Sequence, residues 1–302
     1  MVSLGFHQLF LYFVAASLPA ASALPALAPK DTTSQEYIAN GVPLRIMPLG
    51  ASITYGMGSS DNNGYRAELR SMLLSPTTNL PHAVSVNMVG SRRNGAMIDN
   101  DVEGWSGYRI DQVHAVAKAS VPAWKPNLVL VNAGTNDAAQ NHDIPHAGER
   151  MEQMLADVWV LSPRATVLLS TLLLNTNEDT ERNVVEINEQ YAKLAEKLRE
   201  EGRRIVLVDM HGPEGPLAED LPDNTHPSDE GYRKMARLWY KGIEEASNMG
   251  FIQPPEAVDG LPDDGEVQYR RGADAKGGAV DAACHYLFGM GEWLGWVPVW
   301  VG

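Results

Sequence analysis

Asn127-Leu-Val-Leu-Val-Asn132, running directly into Ala133-Gly-Thr-Asn-Asp137, decides the fold. Leu128 to Val131 leave no polar face, so this strand is expected to be buried on both sides, as in a parallel sheet covered by helices. Gly134, Asn136 and Asp137 then favour a turn. Working outward, further strands are read over 42–49, 84–89, 166–174 and 205–209. Helical spacing is read over 64–74, 109–121, 145–161, 180–201 and 228–247. The clearest stripe is Val184, Ile187, Tyr191, Leu194 and Leu198, near the helical period. Strands alternating with helices imply βαβ units, hence an α/β fold with three α/β/α layers and five parallel strands.

In such sheets, ligands bind beyond the carboxyl ends of the strands. The polar residues there are worth weighing as chemistry. Met47-Pro-Leu-Gly-Ala-Ser-Ile-Thr54 puts Ser52 on a turn after the first strand. A serine attacks a carbonyl only if a base takes its proton. Asp223-Asn-Thr-His226 follows the last strand and offers both a base and a carboxylate to orient it. Asn136 offers an uncharged amide donor to a developing oxyanion. Gly104, in Glu103-Gly-Trp-Ser-Gly-Tyr-Arg-Ile110, can offer a bare backbone amide, with Gly90 as the competing candidate. Each residue also has a plainer reading. Ser52 can cap a helix, Asp223 and His226 can be a polar loop before Pro227, and Asn136 can be a turn residue. Metal chemistry is not indicated: Pro145 separates His142 from His146, and no Cys cluster or H-E-x-x-H exists. No phosphate-binding glycine loop follows a strand either.

Composition narrows the partners. Of 302 residues, 44% are hydrophobic and 21% charged, with a net charge of −14. Nucleic acid and anionic membranes reward Lys and Arg clusters, so neither is expected to bind. Residues 1–23 read as a secretion signal, with an apolar core and Ala21-Ser-Ala23 as a cleavage site, so the protein is expected outside the cell. That apolar run is too short to span a bilayer, so stable membrane insertion is not expected. Residues 24–41 read as a linker, 42–250 as the domain, and 251–302 as a partly disordered tail holding Trp293, Trp296 and Trp300. Cys284 is the sole cysteine, so stability must come from the core. A monomer is expected.

Taken in order, Gly50-Ala-Ser52-Ile-Thr, Gly104, Gly134-Thr-Asn136-Asp and Asp223-x-x-His226 resemble the four blocks of the SGNH (GDSL-type) hydrolase superfamily. The longer first block, Arg45-Ile-Met-Pro-Leu-Gly-Ala-Ser-Ile-Thr-Tyr-Gly, is similar to secreted fungal esterases near carbohydrate esterase family 3, which resemble acetyl xylan esterases. The resemblance implies a flavodoxin-like fold and a serine esterase that needs no metal or cofactor. Its implied catalytic residues are Ser52, Asp223 and His226. Its implied oxyanion donors are the amides of Ser52 and Gly104 and the side chain of Asn136. Tyr55, Trp105 and Tyr108 are the expected substrate contacts, and an acetylated polysaccharide or other short-chain ester the expected partner. Ala51 departs from the family, which usually has Asp there. Two other readings stay open: a lipase or phospholipase of the same fold, and a catalytically impaired sugar-binding protein.

Overall fold

The computed structural model describes residues 37–75 and 81–261. Residues 1–23, expected to be a secretion signal, and the tryptophan-rich end lie outside the described residues. Among the described residues, seven strands form one sheet: β1 (Leu44–Gly50), β2 (Val86–Met88), β3 (Arg92–Arg93), β4 (Asp101–Gly104), β5 (Leu128–Asn132), β6 (Thr166–Ser170) and β7 (Ile205–Val208). Their order is β3-β4-β1-β5-β6-β7, and β2 also pairs with β1. The five expected strands are β1, β2, β5, β6 and β7, and every pairing among them is parallel. The count of five was too low, because β3 and β4 were missed. Neither carries an apolar run: β3 is two arginines, and Asp101-Val-Glu-Gly holds one apolar side chain. They pair antiparallel to each other, and β4 runs parallel to the end of β1.

Among the described residues, seven α-helices flank the strands: α1 (Ser52–Tyr55), α2 (Arg66–Leu74), α3 (Ile110–Trp124), α4 (Thr135–Gln140), α5 (Ala147–Leu161), α6 (Glu178–Glu200) and α7 (Asp229–Asn248). The pleat sends alternate side chains of β5 to opposite faces. Val129 and Val131 pack with α3, α5 and α6. Leu128 and Leu130 pack with α2 and α7. Each such side chain, fully buried, contributes about 1.5–3 kcal/mol. With dozens of them on two faces, the core needs no disulfide. The long helix α6 is well signalled at both ends. Asn177 accepts from the Thr180 amide, acids fill its first turn, and Lys197 and Arg199 lie in its last.

The folded unit runs past both expected limits. Ile38 is fully buried, and the Ala39 amide donates to Ser247 Oγ at 2.7 Å. At the other end, the carbonyls of Phe251, Gln253 and Glu256 accept from Thr166, Asn127 and Arg45. Those three donors stand at, or one residue from, the starts of β6, β5 and β1. Residues 251–261 therefore close the sheet at the end opposite its carboxyl edge. These irregular segments have no periodicity, so nothing in the sequence pattern marks residues 37–41 and 251–261 as part of the domain.

Candidate active site

Strand register brings the separate blocks together. Gly50 pairs with Gly104 on one side and with Asn132 on the other. Ser52, Gly104 and the segment leading to Asn136 thus leave the sheet side by side at its carboxyl edge. Glycine is required at both flanking points. A Cβ on Gly50 would lie 2.1 Å from the Asn132 carbonyl oxygen, and one on Gly104 would lie 2.7 Å from the Tyr55 amide nitrogen. Gly104 ends strand β4, where the sequence suggested only a loop.

Ser52 is the first residue of α1 and nearly buried. Its Oγ lies 2.8 Å from His226 Nε2, and His226 Nδ1 lies 2.7 Å from Asp223 Oδ2. The other oxygen, Oδ1, accepts the amides of His226 at 2.7 Å and Thr225 at 3.1 Å. Partial burial works to raise the Asp223 pKa. The hydrogen bonds from the His226 amide and ring and the Thr225 amide outweigh it, so the carboxyl sits below the usual range. An ionised Asp223 accepts from Nδ1–H and leaves Nε2 free to take the serine proton. Two residues after His226, Ser228 caps α7 by accepting the Gly231 amide, which fixes where the loop ends.

Asn136 lies in the first turn of α4, half-buried, and its Nδ2 donates to the Tyr108 carbonyl at 2.8 Å. An amide nitrogen carries two hydrogens, so one contact leaves a second for a developing oxyanion. The neighbouring Asp137, a turn residue by sequence, has a structural role. It is fully buried, accepts from the Ile110 amide at 3.0 Å and pairs with Arg150. Burial pushes its pKa up against the Arg150 contact. Asp137 therefore ties the start of α4 to α3 and α5 and holds Asn136 in place. Asn136→Ala is expected to lower kcat by about 10²-fold with KM little changed, since an oxyanion donor acts in the transition state. Steady-state kinetics on a nitrophenyl ester would read this, and an effect confined to KM would move Asn136 to substrate binding.

Tyr55, Trp105 and Tyr108 lie together beside Gly104. Trp105 and Tyr108 stack at 5.4 Å, and the Arg92 guanidinium lies 4.5 Å from the Tyr55 ring centre and 4.6 Å from that of Trp105. Arg92 also donates to the Gly104 carbonyl at 3.0 Å. Buried Glu103 accepts from the Trp105 indole at 2.7 Å and from the Ser91 amide and hydroxyl. Burial raises the Glu103 pKa, opposed by those three donors. Arg92 had no signal in the sequence, because its partners are remote along the chain. Ala51 is buried and caps α1 without a side-chain bond. Ala51→Asp would add an acceptor for the amides of that turn, at the cost of desolvating a carboxylate. Capping should win, leaving the rate unchanged or modestly higher; a large fall with the fold retained would show a turn re-formed around Ala51. Among the described residues, no group of three or more His, Cys, Asp or Glu side chains forms a metal-binding set, and no helix is long and apolar enough to cross a membrane.

A central parallel sheet flanked by helices, with a serine, a histidine and a carboxylate in one hydrogen-bonded line at its carboxyl edge, defines an α/β fold of the SGNH hydrolase type. The chain belongs to the GDSL-like Lipase/Acylhydrolase family, whose model matches residues 49–234. It is 28% identical over 224 residues to a multidomain esterase of Ruminococcus flavefaciens, covering 67% of this chain but only 28% of that relative's length. In structure it is similar to a family 3 carbohydrate esterase of Clostridium thermocellum, with TM-score 0.59 and 25% identity, covering 68% of this chain and 98% of the other. A carbohydrate esterase family 3 protein from Talaromyces cellulolyticus shares the fold, with TM-score 0.58 and 19% identity over 68% of this chain and 99% of the other.

Proposed function

We propose that this protein is a secreted serine esterase that removes acetyl or other short acyl groups from a carbohydrate such as acetylated xylan. The observation that carries the reading is the 2.8 Å approach of Ser52 Oγ to His226 Nε2, with Asp223 behind the ring. In the first half-reaction, Ser52 Oγ bonds to the ester carbonyl carbon while its proton passes to Nε2. The oxyanion so formed meets the amides of Ser52 and Gly104 and the Asn136 side chain. The carbon–oxygen bond to the sugar then breaks, and His226 returns the proton to the departing alcohol. Water repeats the sequence on the acyl-enzyme, with His226 again as base, and releases the acid and free Ser52.

Family membership supports ester chemistry, and similarity to the Clostridium thermocellum carbohydrate esterase supports an acylated sugar as substrate. The aromatic group of Tyr55, Trp105 and Tyr108 beside Gly104 suits contact with a sugar ring, by apolar faces and polar edges. The leader-like pattern of residues 1–23 supports an extracellular site of action. On this reading the protein acts as a monomer without a cofactor. A series of nitrophenyl esters of rising chain length, run beside acetylated xylan, tests the substrate class. Turnover falling steeply beyond acetate and butyrate, with acetate released from the xylan, is the expected result. A preference for long acyl chains would favour a lipase instead.

A further inference from the structure

The loop that holds Asp223 and His226 is shaped from within by the Asn224 amide on the Leu221 carbonyl and by the Thr225 and His226 amides on Asp223 Oδ1. It lies between a short 3-10 helix, Ala218–Asp220, and the start of α7, and Asn224 takes a left-handed φ of +73°. The Asp223 side chain is 56% exposed. Those local bonds do not tie the loop to neighbouring elements, and a misplacement of about 1 Å can cost up to 10²-fold in rate. The contacts that tie it come from the segment between β6 and α6. Asn175, which is 6% exposed, donates from Nδ2 to Thr225 Oγ1 at 3.0 Å. Thr176 Oγ1 donates to Asn224 Oδ1. Asn175 is itself held at two further points. Its amide donates to Glu181 Oε2 at 2.6 Å, and its Oδ1 accepts the Asn177 amide at 3.0 Å. Glu181 Oε1 in turn meets His211 Nε2 at 2.8 Å.

Resting on the reading of Ser52, His226 and Asp223 given above, we propose that Asn175 and Thr225 are positioning residues for the reaction. They form a clasp that fixes the Asp223 carboxylate against the His226 ring. Thr225 is the link: its hydroxyl is gripped by Asn175 while its own amide donates to Asp223 Oδ1. Asn175, rigid through its bonds to α6, transmits the position of that helix to the carboxylate.

Thr225→Val tests this, because it deletes the gripped hydroxyl at nearly constant shape and leaves the Asn175 bonds to Asn177 and Glu181 in place. With nitrophenyl acetate, kcat is expected to fall about tenfold with KM within about twofold. The downfield proton resonance of the His226–Asp223 hydrogen bond should shift or broaden, and Thr225→Ser should restore both. A wild-type kcat in Thr225→Val, an effect confined to KM, or a Thr225→Ser variant as impaired as Thr225→Val would each overturn the clasp. Ser52→Ala run in parallel separates the two levels. If it is inactive while Thr225→Val is unimpaired, only the clasp is wrong. If it stays active, the reading of the site itself fails.

Discussion

Ser52→Ala is expected to abolish ester hydrolysis, by about 10³-fold or more, while leaving the fold intact. Among the described residues, the Ser52 hydroxyl is the nucleophile recorded within hydrogen-bonding distance of His226 Nε2, at 2.8 Å. Ser52 begins α1 in a turn fixed by backbone bonds from Gly56 and Met57 to its own carbonyl. Those bonds do not use the side chain, so circular dichroism and the melting temperature should be close to wild type. Removing a buried hydroxyl whose recorded partner is the half-buried histidine costs about 0.5–1.5 kcal/mol. Activity within a few-fold of wild type would exclude Ser52 as nucleophile.

Asp223→Asn is expected to cost about 10³-fold in kcat/KM. The carboxylate accepts from the His226 ring on one oxygen and from two amides on the other. A carboxamide has only one acceptor oxygen. If that oxygen serves the two amides, the NH₂ group faces Nδ1, and the ring must move its proton to Nε2 to avoid two opposed donors. An Nε2–H cannot accept the serine proton. The half-exposed position of Asp223 lets water take part of its role, which keeps the loss below that of a fully enclosed carboxylate. Kinetics of this variant across pH would check the effect; a loss of less than tenfold would mean that the tautomer is set by something other than Asp223.

How much was legible in the sequence follows from what each feature depends on. The buried run of β5 and the stripe of α6 are set by side-chain pattern alone, so both could be read directly. Ser52, Asn136, Asp223 and His226 stood out because loops after parallel strands converge at one edge, and the structure does bring Ser52, Asp223 and His226 into contact. Tyr55, Trp105 and Tyr108 also cluster, beside Gly104. What escaped was set by long-range contact. β3 and β4 exist because they pair with each other and with β1, not because Arg92-Arg93 or Asp101-Val-Glu-Gly favours a strand. Asp137 reads as a turn residue until Arg150 and the Ile110 amide arrive from other helices. Arg92 and Asn175 act on partners 12 and 50 residues away, and nothing local marks them. Residues 37–41 and 251–261 join the domain through such long-range contacts too, which local pattern does not show.

The central claim is that Ser52 carries the acyl group. Diethyl 4-nitrophenyl phosphate, which phosphorylates an activated serine and releases nitrophenol, tests it most directly. Intact-mass and peptide mapping of the inactivated protein should show one diethylphosphoryl group, on Ser52, with activity lost in proportion to labelling and no label in Ser52→Ala. Labelling at another residue with loss of activity, or full activity in protein labelled at Ser52, would contradict it.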